Sequence, residues 1–336
     1  MTVTVPVPIK AGPGPRDWTP PSTEPPAAPA PPSVPPSAPP PVRPPARPSV
    51  VRRLTPDGPQ LIGAALAIVA GLMLGLLLDL GPLGGLRHLR DHETGMAELR
   101  LSLAQGTAPV GQLDKDGKPV LPGTPVALLE IKHLGLREVV REGTTGEVLS
   151  SGPGHRRDTA MPGQAGTSVL FGRQAGFGGP FGAIGQLRQG ETFTVTTGQG
   201  SHTFRVVTVR RAGDPMPPAL KTGAGRVVLV TGDGPLYAPD DLLYVDADLE
   251  SEVQPNNARP LTFAALPAAE KAMGTEEGAW VPLVLWGEAL LLAAVALALA
   301  WTRWGRWQAW TVGVPVLSAL GLAVADQVAR LLPNLI

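Results

Sequence analysis

The chain has 336 residues with 28 basic and 28 acidic side chains, so its formal net charge is zero. This balance gives no electrostatic reason to expect a nucleic-acid partner. The sequence contains no cysteine, which excludes disulfides, thiolate metal ligands and a cysteine nucleophile within this chain. No motif indicates a cofactor, and no His, Asp and Glu residues have the spacing of a metal site.

Residues 1–60 form a proline-rich segment that holds 21 of the 40 prolines. Proline fixes φ and donates no backbone hydrogen bond, so this composition disfavours a packed helix or sheet. We predict a disordered arm biased toward polyproline II. The arm is either a solvated tether or a docking segment for a cytoplasmic partner that recognises proline.

Three apolar segments are long enough to cross a membrane as helices: residues 61–80, 280–301 and 309–330. About eighteen apolar residues suffice to cross the hydrocarbon layer. Arginines precede the first segment, and two more lie among tryptophans between the second and the third. Because basic loops prefer the cytoplasmic side, we predict a multi-pass protein of the cell membrane with a cytoplasmic N-terminus. The region between the first two spans is then extracytoplasmic.

Glu288 is an ionisable residue inside the second predicted span. Such a group at membrane depth is generally paired or functional. Counted along each helix from the loop between the last two spans, Glu288 lies ~20 Å and Arg330 ~30 Å away. An intramembrane pair of Glu288 with Arg330 therefore requires both side chains to lean toward each other. The other interpretation is a carboxylate that reaches the outer interface.

The region between the first two spans changes pattern along its length. Residues 81–123 are interpreted as a linker with an amphipathic helix near Leu83–Gln105, and residues 251–279 as a second linker. Residues 124–250 contain short β-branched runs separated by glycine, which predict strands. The predicted strands are Val126–Ile131, Ser168–Phe171, Glu191–Thr197, Thr203–Val209, Arg226–Thr231 and Leu242–Asp248. Many short strands with few helices favour a closed or nearly closed β-barrel, so the expected fold class is mainly β.

Motifs within residues 124–250 resemble those of the sortase domain, a cysteine transpeptidase barrel that attaches proteins to the bacterial cell surface. Leu129–Val140 resembles the opening strand of that family, and Val169–Phe181 resembles its apolar strand followed by Gly-His and a loop ending in Pro-Phe. Val227–Pro235 resembles the strand that ends in Thr-Cys, and Leu242–Leu249 resembles the final strand, which begins with arginine. The GPGH and PGQ elements around His155 are most similar to classes E and D.

The resemblance implies a closed barrel of about eight strands flanked by transmembrane helices, with a catalytic triad of cysteine, histidine and arginine. In this sequence the cysteine position falls on Gly232, the histidine position on Arg173 and the arginine position on Leu242, with Leu243 the near alternative. Glycine has no side chain, arginine is not a base and leucine offers no donor. The domain therefore resembles a degenerate sortase with no intact triad residue. Arg173 is expected at the mouth of the groove, where it either attracts carboxylate-bearing partners or is simply solvated.

Two functions remain open. The first is a catalytically inactive protein of the cell envelope that binds a cell-surface protein or peptide in the retained groove. The alternative is a transpeptidase or hydrolase of altered mechanism acting on cell-surface sorting signals, with His155, Thr231 and Asp233 as candidate groove residues. The LPGT segment at Leu121–Thr124 resembles a sorting signal but is expected to be a turn into the first strand.

Overall fold

The structure is a computed structural model that describes residue 66 and residues 70–257, 259–304 and 306–336. All of these residues fall within one compact unit, Pro56–Ile336. The predicted proline-rich arm, residues 1–60, and most of the first predicted span lie outside the described residues.

Eight strands form a closed barrel, which confirms the predicted fold class. In chain order they are β1 (Pro125–Ile131), β2 (Leu136–Glu142), β3 (Gly154–His155), β4 (Gly166–Phe171), β5 (Thr192–Thr197), β6 (Gly200–Arg211), β7 (Gly225–Asp233) and β8 (Asp241–Leu249). Around the barrel the order is β1-β2-β3-β4-β7-β8-β6-β5. Strand β4 runs parallel to β7, whereas β7 and β8 are antiparallel. The last residues of β4 and β7 therefore lie at the same edge of the barrel.

Strand β7 is buried on both faces. Val227 and Leu229 point into the barrel core, whereas Val228 and Val230 point outward into a second apolar cluster. Successive side chains of a strand face opposite sides, so a strand that is apolar at every position must be covered on both. The segments that pack on the outer face of β7 therefore determine whether that face is open to a ligand.

The helices are α1 (Ala70–Ala104), α2 (Gly146–Ser150), α3 (Trp280–Trp304) and α4 (Arg306–Leu331). Three of them, α1, α3 and α4, are long and apolar enough to cross a membrane. Helix α1 contains a π-helical turn at Asp79–Leu83, which includes Pro82. A proline has no amide hydrogen to donate to the preceding turn, so it disturbs the regular ladder at this point. From Ala70 onward, the first apolar segment and the predicted amphipathic helix form one continuous helix.

The LPGT segment forms a turn into β1. The amide of Thr124 donates to the carbonyl of Leu121 at 3.2 Å, and the amide of Gly123 donates to the carbonyl of Glu142 at 2.7 Å. Gly123 has φ of +86°, a conformation in which a residue with a Cβ is strained. Leu121 is exposed, so this segment does not fill a groove.

Arg330 does not pair with Glu288, contrary to one interpretation of the sequence. Its guanidinium lies 3.0 Å from the carboxylate of Glu147 on α2 and 3.4 Å from that of Asp326, one turn earlier on α4. Glu288 is exposed on α3 and forms no ion pair with any described residue. The reason is the position of Arg330, which lies at the end of α4 where the helix meets the barrel.

Candidate functional site

The three positions that the resemblance assigns to the triad lie at one end of the barrel. Gly232 of β7 is paired with Leu242 of β8, and Phe171 of β4 is aligned with Val230 of β7. Arg173 follows Phe171 by two residues, as Gly232 follows Val230. Because side chains alternate along a strand, these positions share the outward face of the barrel. The groove expected from the sequence therefore corresponds to the outer surface of β4, β7 and β8.

Arg173 is buried, with 1% of its surface exposed, so neither expectation of an accessible side chain was right. Its guanidinium donates to the backbone oxygens of Gly146 at 2.8 Å and Ile336 at 3.3 Å, and it stacks on the Phe177 ring at 4.7 Å. Burial lowers the pKa of Arg173 to about 10, against the opposing effect of the Glu276 carboxylate. The side chain stays protonated at neutral pH and cross-links backbone segments instead of acting as a base.

Gly232 has no room for a side chain. A Cβ atom built on it would lie 2.7 Å from Cβ of Pro239 and 3.2 Å from the backbone oxygen of Leu335. The first distance is a steric clash, and the second is shorter than normal van der Waals contact. The place where the resemblance puts a thiol is therefore filled by the β7–β8 loop and by a segment more than 100 residues away in sequence.

That segment, residues 332–336, is called here the strap, and sequence reasoning did not identify it. Leu335 is fully buried and packs on the outward-facing residues of β4 and β7, among them Phe171 and Val230. The amide of Gln174 donates to the backbone oxygen of Leu335 at 3.0 Å. No local sequence pattern predicted the strap, because its position depends on contacts with residues far away in the chain.

Asn334 anchors the strap through backbone groups of two loops. Its side-chain amide donates to the carbonyls of Thr144 at 2.7 Å, Lys271 at 3.0 Å and Ala269 at 3.2 Å. Its backbone amide donates to the carbonyl of Gly274 at 2.9 Å. Asn334 is fully buried, so these bonds satisfy donors that water does not reach.

Beyond the strap, the outer face of β4, β7 and β8 forms a cavity of about 390 Å³, which we call the outer cleft. The loop between β6 and β7 contributes one wall of the outer cleft, from Met216 to Leu220. The lining includes the apolar residues Val169, Phe171, Val228 and Val230 together with Tyr244.

The charged residues of the outer cleft are neutralised by neighbours. Arg210 pairs with Asp246 at 2.7 Å, and its guanidinium lies 4.2 Å from the centre of the Tyr244 ring. Arg226 pairs with Asp248 at 2.6 Å, and Arg156 pairs with Asp158 at 2.7 Å. An apolar lining with compensated charges suits an extended, largely uncharged peptide segment better than a strongly charged ligand.

His155 is fully buried and both of its ring nitrogens are occupied. Nδ1 lies 2.9 Å from the carboxylate of Glu142, and Nε2 lies 2.9 Å from the backbone oxygen of Ala160, which can only accept. Burial by itself would lower the pKa of His155, but the Glu142 carboxylate and the Ala160 carbonyl more than compensate, and the pKa is raised. Because both ring nitrogens face hydrogen-bond acceptors, neither is free to take a proton from a substrate as a general base.

Thr231 and Asp233 do not form a catalytic pair with His155. Thr231 is buried on the inward side of β7, and its hydroxyl has no hydrogen-bond partner among the described residues. Asp233 forms an ion pair with Arg211 instead. In the described part of the chain, no group of His, Asp and Glu has the geometry to hold a metal ion.

Comparison with known proteins agrees with this architecture. The family model described as "Sortase domain" matches residues 129–250. Residues 129–250 form a sortase domain. No curated protein shows significant similarity to the sequence.

Solved sortase structures are similar to this domain. The Clostridium perfringens sortase D5 transpeptidase is 20% identical, with 48% of this chain and 99% of that chain covered and a TM-score of 0.40. Sortase E from Streptomyces avermitilis is 27% identical, with 45% and 100% covered and a TM-score of 0.34. Sortase C-1 from Actinomyces oris is 23% identical, with 46% and 98% covered and a TM-score of 0.33.

Proposed function

We propose that this protein is a membrane-anchored, non-catalytic sortase-like protein of the bacterial cell envelope that binds a peptide or protein segment in its outer cleft. The observation that carries the proposal is the packing around Gly232. Pro239 and the backbone of Leu335 occupy the space that a nucleophile would need. Arg173, at the expected histidine position, is committed to backbone oxygens. These contacts join β7, the loop after β4 and the strap, and they make the site a structural junction.

The binding role is supported by the outer cleft. Its apolar lining is continuous with the strands of the barrel, and its arginines are already paired. An extended peptide gains affinity from apolar side chains placed in such a groove and from backbone hydrogen bonds along its walls. We therefore expect the ligand to be an extended segment with apolar side chains and few charges.

The membrane anchor is supported by the surface of α3 and α4. Large apolar side chains on these helices are exposed, and a contiguous apolar surface of this kind is unfavourable in water. They include Val284, Leu285, Leu291, Leu292, Val295, Trp310, Val312 and Val314. A bilayer is the environment that suits this surface, and the arginines at the end of α3 and the start of α4 favour a cytoplasmic position for this junction.

The proposal is tested with the full chain in detergent micelles and with fluorescent sorting-signal peptides plus an amine acceptor. We expect peptide binding without cleavage or transpeptidation. Val228→Asp, which places a charge on the apolar lining of the outer cleft, is expected to abolish binding. Thr192→Asp, an exposed position on β5, serves as the matched control and leaves binding unchanged.

Turnover would contradict the non-catalytic assignment, and loss of that turnover in Thr231→Val would favour the alternative, an enzyme of altered mechanism. Equal binding by the Val228→Asp variant and the control variant would contradict the outer cleft as the binding site.

A further inference from the structure

The strap packs beside the outer cleft, on the same apolar face of β4 and β7. Leu335 is buried in the apolar cluster that includes Val228 and Val230, two residues that also line the outer cleft. Ala272 belongs both to this cluster and to the cleft lining. The covered and the open parts of the outer face are therefore one continuous apolar surface.

We propose that the strap is a releasable intramolecular plug over the outer face of β7, which detaches without unfolding of the barrel and thereby extends the apolar surface that a ligand can reach. This inference rests on the proposed function, since it concerns the regulation of the same site. The covered part of this surface is occupied by a segment of the chain itself.

The bonds that hold the strap are compatible with release. The side-chain amide of Asn334 bonds to loop carbonyls outside the eight strands, and its backbone amide bonds to Gly274 of the 251–279 segment. Arg173 and Gln174, which bond to Ile336 and Leu335, follow the end of β4. Removing the strap therefore breaks no strand-to-strand hydrogen bond of the barrel.

The strap also follows α4 directly, so the position of this helix constrains the plug. Arg330 at the end of α4 pairs with Glu147 of α2, and Asp326 pairs with Arg87 of α1 at 2.8 Å. These ion pairs are partly exposed, and such pairs contribute little net stability. A displacement of α4 in the membrane would meet modest resistance from them and would pull directly on Leu335.

Because the sequence contains no cysteine, an introduced cysteine is the sole thiol, and thiol labelling reports on that position alone. One reporter is Val230→Cys, on the outer face of β7, in the apolar cluster that contains Leu335. The matched reporter is Leu229→Cys, the adjacent residue, which faces the barrel core. Both residues are buried, so labelling of either requires an opening motion.

The strap is weakened by Asn334→Ala, which removes three side-chain hydrogen bonds. The matched control is Asn256→Ala, which removes one exposed hydrogen bond to the carbonyl of Ala165. In the full chain in micelles, Asn334→Ala is expected to accelerate maleimide labelling of the Val230→Cys reporter by about tenfold or more, because loss of even one or two net hydrogen bonds changes an equilibrium by this order. Labelling of the Leu229→Cys reporter is expected to stay slow. The Asn256→Ala change is expected to affect neither reporter.

Acceleration of both reporters together would mean that the barrel loosens as a whole, and acceleration of neither would mean that the strap is a fixed part of the fold. Either result would overturn the proposal. If Asn334→Ala fails to fold, Leu335→Ser is used with the same two reporters and the same expected outcomes. The labelling needs no peptide, so failure of peptide binding would refute the proposed function alone.

Discussion

At the residue scale, Gly232 and Arg173, the positions that the resemblance assigns to the cysteine and the histidine, serve the same packing arrangement. The glycine lets the backbone of Leu335 approach β7, and the arginine donates to the backbone of Ile336, the next residue. A donor is useful here because backbone oxygens buried away from water need partners. The two positions are therefore coupled through the strap, and a change of either residue alone would disturb that packing.

Gly232→Cys is expected to lower the free energy of unfolding by about 1–3 kcal/mol, the usual cost of overpacking, and to yield no transpeptidase activity. Denaturant unfolding of the full chain and a peptide-transfer assay measure the two effects. Gly85→Cys is the control, because a Cβ at Gly85 meets no atom within 4 Å. A stable, active Gly232→Cys enzyme would contradict the description of this site as a structural junction.

His155 is expected to make stability dependent on pH. Its folded-state pKa is raised by Glu142 despite burial, whereas the unfolded value is about 6.5. A raised pKa means that the contribution is fully present below pH ~6.5 and is lost as pH rises through the folded value. The Tm of the wild type should therefore fall on moving from mildly acidic to alkaline pH.

In His155→Gln this part of the pH dependence should disappear, whereas His133→Gln, at an exposed position, should retain it. Thermal unfolding curves recorded across this pH range test the expectation. A His155→Gln variant with the same pH profile as the wild type would show that another group is responsible.

At the scale of elements, the loop after β4 joins the barrel to the helices. Phe177 is buried against Leu80 of α1 and Ala329 of α4, and its amide donates to the carbonyl of Leu80 at 2.9 Å. Leu80 lies in the π-helical turn, where the regular helical hydrogen-bond ladder is interrupted. The irregular turn of α1 thus presents a backbone oxygen to the barrel.

Phe177→Ala is expected to cost about 3–5 kcal/mol, because it leaves a cavity between the loop and two helices. Phe263→Ala is the matched control at a side chain that is 54% exposed, and its expected cost is about 1 kcal/mol or less. Denaturant unfolding of both variants measures the difference. Equal costs would argue against Phe177 as the joint between barrel and helices.

At the scale of the whole molecule, the barrel lies in sequence between α1 and the α3–α4 helices, all of which are long and apolar enough to span a membrane. The positive-inside bias predicts that the barrel and the junction of α3 with α4 lie on opposite sides of the membrane. Two single-cysteine variants report on this arrangement: Ser201→Cys on the barrel surface and Gln308→Cys near the start of α4.

On intact cells, a membrane-impermeant thiol reagent is expected to label Ser201→Cys, whereas Gln308→Cys should react only after permeabilisation. The wild-type chain provides the blank, because it contains no thiol. The reverse labelling pattern would mean that the barrel is cytoplasmic and that the proposed envelope function is wrong.

Much of the barrel could be predicted because its signals are local. In β7 the run from Val227 to Val230 is apolar at every position, which indicates a strand covered on both faces, and glycines mark the ends of several runs. The assignment of the three triad positions rests on motif order and stays a prediction. Gly232 and Leu242 lie on β7 and β8, whereas Arg173 follows the end of β4. Hydropathy also identified the candidate spans, because a run of about twenty apolar residues is recognised from the sequence without knowledge of tertiary contacts.

The condition of the site could not be predicted, because it depends on contacts between residues far apart in the chain. Arg173 was expected at an accessible groove, yet it is buried by Gly146 and Ile336, which lie 27 and 163 residues away. No local pattern records that residues 332–336 fold back over β7, and neither propensity nor periodicity carries information on such a pairing. A residue type determines which interactions a side chain is able to make, but burial and neighbours determine which of them it makes. For this reason the absence of cysteine was evident from composition, whereas the strap that packs against Gly232 became visible only in the tertiary structure.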